Sequence, residues 1–273
     1  MQQRQKIKLL KALTLIGSFS TGIIYGSIGV IAILSFLKLK QGGADENSFF
    51  VLLGSFSIGR ILNWILIAGA VCLVIWRFYE AFKDPYGVGN DLKGILQRIG
   101  AAFSSAADAF IILSALQAMF NEVKAPVSGE PIRQQHLVAG LLHTSSGHLV
   151  VIISGGIILI TALVLLFYGL SKGFTERIDA TDFSRTQKLV THGIAYAGYF
   201  SRGVILGIVG FFFIKAAVEN DSTYVRNTDK AFDFIGDDVG YFWFIAIAIG
   251  TICYGLYMFV LGLHYDINGK RKS

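Results

Sequence analysis

Apolar residues in this chain come in long unbroken blocks rather than in the alternating or stripe patterns of a water-soluble protein. A helix needs about 20 apolar residues to cross the hydrocarbon core of a bilayer. Six segments meet that length: Leu13–Leu37, Ile61–Phe82, Ile99–Phe120, Leu149–Ser171, Ile194–Val218 and Tyr241–His264. Between the members of each successive pair lies a shorter apolar or amphipathic stretch, Ser48–Gly59, Ile132–Leu142 and Ala231–Val239. These are too short to span and fit interfacial or re-entrant segments. The pattern therefore predicts an all-α membrane protein made of three units, each a helix, an outer segment and a returning helix.

Composition agrees. Of 273 residues, 53% are hydrophobic and only 15% are charged, with a mean hydropathy of +0.59. Soluble domains carry roughly 25% charged residues, and disorder needs low hydrophobicity, so both are excluded. The N-terminal apolar block follows Arg4, Lys6, Lys8 and Lys11. It is longer than a signal-peptide core and is expected to stay as the first membrane helix.

The net charge of +6 is a matter of topology before it is a matter of nucleic acid, for which the pattern gives no sign. The tails and the segments 83–98 and 172–193 hold 14 Lys and Arg, against 7 in the other three connections. The positive-inside rule then puts both termini in the cytoplasm.

The glycines mark an internal duplication. With a displacement of 181 residues, Gly17, Gly22, Gly26, Gly29, Gly59 and Gly69 fall on Gly198, Gly203, Gly207, Gly210, Gly240 and Gly250. Phe19-Ser20 falls on Phe200-Ser201, and Cys72 on Cys253. A weaker match at a displacement of 84 brings in the third helix. The units run 12–83, 98–172 and 193–265, in a single membrane domain. Each has two spanning helices, so successive units enter in the same direction. That predicts a pseudo-threefold six-helix bundle about the membrane normal, as in parallel-repeat transporters.

The run from His192 to Val204 (HGIAYAGYFSRGV), followed by Gly207 and Gly210, and the run Gly250-Thr-Ile-Cys-Tyr254-Gly255-Leu-Tyr257 resemble a bacterial membrane family, the domain of unknown function 1206. The resemblance covers nearly the whole chain and implies fold and topology, three copies of a two-helix unit. The middle unit departs most, with Ala106 and Asp108 where a glycine-rich face is expected.

Two sets of residues carry candidate chemistry. Gly22, Gly26 and Gly29 share one helix face, as do Gly203, Gly207 and Gly210, a spacing that lets helix backbones approach in lipid. Packing within the chain, a homo-oligomer or the lining of a narrow conduit are the readings open for them. The second set is the intramembrane charges, which are costly in lipid unless paired or wetted. Asp108 on the third helix lies about 4.5 Å deeper than the level of Arg202 on the fifth. An ion pair between them is expected, with Ser104 and Ser105 beside it. Arg77 and Glu80, at i and i+3, read as a solvated or interfacial ion pair. Lys215 is expected to snorkel to the outer surface.

His136, His143 and His148 cluster between the third and fourth spans, but no carboxylate shares their spacing, so neither a metal nor another cofactor is expected. No phosphate loop or hydrolase motif is present, and enzymatic activity is not expected. The functional reading is a conduit or transporter for a small solute or ion in the lipid bilayer. The alternative is a non-catalytic membrane protein of assembly, stress response or partner binding.

Overall fold

The structure is a computed structural model. It describes residues 2–39, 43–83 and 129–266 and, between the last two stretches, Arg98, Ala102, Ser105, Ala109, Ile112, Leu113, Leu116 and Phe120. Within these, the chain is helical, apart from one isolated antiparallel bridge between Ile178 and Tyr265. In chain order the helices are α1 (Gln2–Phe36), α2 (Glu46–Gly54), α3 (Gly59–Lys83), α4 (Ile132–Leu142), α5 (Ser145–Leu170), α6 (Arg185–Val218), α7 (Thr228–Phe234) and α8 (Tyr241–Leu263). A π-helical turn, Ile235–Val239, extends α7.

Five helices among the described residues, α1, α3, α5, α6 and α8, are long and apolar enough to cross a membrane. The eight described residues of 98–120 are also helical and, the adjacent pair Ile112 and Leu113 apart, recur every three or four positions, so they share one face. Most of the expected span Ile99–Phe120 lies outside the described residues.

Local signals explain the boundaries. Asp45 accepts a hydrogen bond from Ser48 N at 2.6 Å and so starts α2 two residues earlier than the apolar pattern suggests. Thr144 caps α5, Asn227 caps α7, and Ser184 with Gln187 forms a capping box for α6. Gly240, at φ +121°, makes the reversal into α8 that a side chain would resist.

Helix α1 packs between α3 and α8, and α6 packs between α8 and α5. The side chains turned away from these contacts are large and apolar: Phe242 is 75% exposed and Leu163 65%. Such a surface is unsuited to water and suits lipid.

The duplication is visible in the contacts themselves. A Cβ on Gly17 would lie 2.6 Å from Leu73 Cβ, and a Cβ on Gly198 would lie 2.6 Å from Tyr254 Cα. Tyr254 is the position 181 residues beyond Leu73. In the same way Gly69 admits Ser20, and Gly250 admits Ser201. The first and last helix pairs therefore close on the same glycines.

Candidate functional site: a polar path between the helices

The residues at the N-terminal ends of α2 and α7 meet those just before α4. Ala44 N donates to Asp229 Oδ1 at 2.5 Å, and Asn227 Nδ2 donates to both Asp45 Oδ2 (2.5 Å) and Gly129 O (3.0 Å). The Asp229 carboxylate also fills the space that a Cβ on Gly129 would need, and Gly129 sits at φ +66°. Asp45 and Asp229 are buried, at 4% and 7% exposure. Burial pushes Asp45 up to about 6, in spite of the Ser48 N–H. It pushes Asp229 up to about 7, in spite of the Ala44 N–H. Lys230, beside them, is held by Asp233 at 2.9 Å and Glu130 at 3.1 Å.

Beneath this junction lies a cavity of ≈ 20 Å³ lined by Tyr25, Glu46, Arg202, Thr228, Thr251 and Tyr254, with Ile205 and Leu206. It has room for one water molecule. Thr228 Oγ1 donates to the Glu46 carboxylate at 3.1 Å. Arg202, 4% exposed, donates to the Tyr254 hydroxyl. Its guanidinium lies 4.6 Å from the Tyr25 ring centroid and 4.9 Å from that of Tyr254. These π faces attract a cation in a place where water cannot solvate it.

From Tyr254 the path continues through aromatic contacts. Tyr199 meets Tyr254 and Tyr257, each at 5.5 Å between centroids, and Tyr168 at 5.0 Å. Arg177 then covers Tyr168 and pairs with Glu80 at 2.9 Å. Arg177 belongs to the 3-10 turn Gly173–Arg177, which tucks Phe174 against His192, Tyr199 and Tyr257. Trp76 Nε1 closes the same end by donating to the Tyr265 hydroxyl at 2.7 Å.

Against this geometry the sequence-predicted residues fall as follows. Asp108 and Ser104 lie outside the described residues, so their expected place beside Arg202 is not on view. Ser105 is fully buried and donates to Val74 O at 3.0 Å. Arg77 and Glu80, expected on a solvated surface, are both buried, at 4% and 6% exposure. The 3-10 turn covers Glu80 and brings it Arg177, 97 residues away. Lys215 lies 4.3 Å from the Tyr224 ring, toward the outer end of α6.

The six glycines divide. Gly22 and Gly29 meet backbone atoms of α8, Gly203 meets Leu166 and Ala162 O on α5, and Gly210 meets Leu159 N on α5. Gly26 and Gly207 have room for a methyl group. His136 and His143 are exposed, and His148 Nε2 meets Asn220 Oδ1 at 3.0 Å. Among the described residues no three His, Cys, Asp or Glu side chains are grouped to hold a metal.

Sequence reasoning missed the outer junction and the Arg177–Glu80 pair. Asp45 and Asn227 carried a usable signal, a capping residue before a short apolar run. Glu80 stood out as a charge within an apolar block, but Arg177 carried no signal.

Among the described residues, five helices are long and apolar enough to cross a membrane, with polar groups between them and large apolar side chains turned outward, the pattern of the integral membrane class. The family model described as Domain of Unknown Function (DUF1206) matches residues 16–84 and 197–264, half of the chain, and the protein belongs to that family. The two matched regions coincide with the duplicated helix pairs. The chain is also 26% identical over 259 residues to the Uncharacterized protein YxxB of Bacillus subtilis (strain 168), covering 94% of this chain and 91% of that one. No solved structure matches.

Proposed function

We propose that the protein is a conduit for a small ion or solute, held closed in this conformation. One observation carries the reading: polar and aromatic side chains succeed one another from the Asp45–Asp229 junction, past the cavity at Arg202, to the Arg177–Glu80 pair. Intramembrane charges in such a setting are costly, and they commonly serve a path for ions or protons. The bundle has six spanning helices in three parallel units, 12–83, 98–172 and 193–265. The described residues of 98–120 lie against α3. Three contacts support that placement: Ser105 with Val74 O, Arg98 with Ala81 O, and Phe120 with Trp64.

Both termini face the cytoplasm of a bacterial inner membrane, as the distribution of Lys and Arg implies. Asp108 pairs with Arg202 in the wall of the conduit. No catalytic step is assigned to the chain.

The test is ion or proton flux into liposomes carrying the purified protein, compared with Asp108→Asn and Arg202→Gln. Flux in the wild type that falls in both variants supports the reading. No wild-type flux, or flux unchanged in both, removes it. A second reading, a non-catalytic protein that binds membrane partners, draws on the filled centre, where the Arg202 cavity admits no more than a water.

A further inference from the structure

The conduit reading leaves the outer junction without a role of its own. Three separate segments meet there, and two buried carboxylates make the ties: Asp229 to the segment before α2, and Asp45 to the cap of α7. Neither carboxylate touches a cation among the described residues. Asp229 is held by a backbone N–H, and Asp45 by a backbone N–H and a side-chain amide.

Among the described residues, the charged groups around them leave an excess of acid. From α2 comes Glu46, from the segment before α4 comes Glu130, and from α7 come Asp233 and Lys230, the one lysine of the described junction. Lys230 is engaged by Glu130 and Asp233. Arg226 turns away, its guanidinium 5.2 Å over the Phe212 ring. From α3 the neighbouring polar group is neutral Asn63, which donates to Phe50 O. From α1, α6 and α8 come Tyr25, Arg202 and Tyr254, which face Glu46 across the cavity. Burying two like charges with no cation in contact is unfavourable, and taking up a proton relieves it.

We propose that the junction is a proton-operated clasp: a proton on Asp229 lets α2, α4 and α7 close over the cavity, and its loss releases them. The step is an acid–base equilibrium with bulk water, centred on Asp229, with Asp45 titrating about one unit lower. The carboxyl pushed up to about 7 sets the sense and the range. A carboxyl whose closed-state value is raised favours closure most at acid pH, below its ordinary range, and the advantage is lost as pH rises through about 7. Closure should weaken about tenfold between about pH 6 and about pH 8.

The experiment is amide hydrogen exchange on the full chain in lipid nanodiscs, followed in peptides from 43–54 and 227–239 and corrected for intrinsic exchange. The expected result is an opening ratio that rises about tenfold over that range, while α5 stays constant. In Asp229→Asn the amide keeps an acceptor for Ala44 N, so protection should persist at the higher pH and keep only the roughly twofold dependence that Asp45 supplies over that range. Wild-type protection independent of pH, or a dependence surviving intact in Asp229→Asn, would overturn the clasp. Should that variant fail to assemble, the wild type supplies a second measurement, the infrared carbonyl stretch of a protonated carboxyl. A band that disappears as pH rises through about 7 supports the clasp, and its absence throughout overturns it. Neither readout involves flux, so the clasp and the conduit can fail separately.

Discussion

Replacing Gly198 and Gly207 by alanine, one at a time, separates the glycines that hold this bundle together from those that merely lie on it. Both lie inside α6, and at either site alanine favours the helix by about 0.5–1 kcal/mol. The surroundings differ. A Cβ on Gly198 would stand 2.6 Å from Tyr254 Cα and 2.8 Å from its N, whereas ordinary contact begins at 3.4 Å. The obstacle is the backbone of α8, so no rotamer change relieves it and the two helices must part by about 0.8 Å. Overpacking of that kind costs about 1–3 kcal/mol. The net loss at Gly198 is then about 1–2 kcal/mol. On Gly207 the nearest atom to a new Cβ is Ala162 Cβ at 3.8 Å, an ordinary contact. Only the propensity gain remains there, up to about 1 kcal/mol. Gly17→Ala should match Gly198→Ala, because its Cβ would meet Leu73 at the same 2.6 Å. Unfolding in mild detergent, read by a thiol-reactive dye at the native Cys72 and Cys253, gives the ordering. A loss at Gly207 equal to that at Gly198, or no loss at Gly17, would refute the contact geometry.

The remaining predictions concern charges. Glu80→Gln should cost about 1–3 kcal/mol by leaving the half-buried Arg177 without its carboxylate, and adding Arg177→Met should recover part of the loss in a double-mutant cycle. Arg202→Lys keeps the charge but not the planar group lying over Tyr25 and Tyr254, so a loss of about 1–2 kcal/mol in thermal unfolding is expected. Stability of the whole protein should be greatest on the acid side. It should decline as pH rises through about 6 and then about 7, the values of Asp45 and Asp229, and Asp45→Asn with Asp229→Asn should flatten the curve.

The spans were legible in the sequence because lipid imposes a length and an apolar composition that single segments must meet. The glycine register was legible too, since helices that touch at 17 and 198 cannot drift in sequence without losing the contact. The sites were less so. Arg202 declared itself by being charged within an apolar block, but its cage of Tyr25 and Tyr254 comes from two other helices. Arg177 sits in a polar loop like any cytoplasmic arginine. Only the tuck of Phe174 under the bundle turns it toward Glu80. Asp45 and Asp229 read as ordinary loop acids, because nothing local says that α2 and α7 point their first residues at one place. Packing between distant segments made these sites, and hydropathy does not record it.

The two glycine pairs that repeat at a displacement of 181 residues also bear on how such a site can arise. Gly17 and Gly198, and Gly69 and Gly250, still make one and the same joint in each copy. Yet Leu73 in the first copy is answered by Tyr254 in the second, and Thr21 by Arg202. The joints were inherited in duplicate, while the groups facing inward were free to differ. A scaffold built by copying thus acquired Arg202 in one copy and not in the other, and with it a polarity that two identical copies could never have possessed.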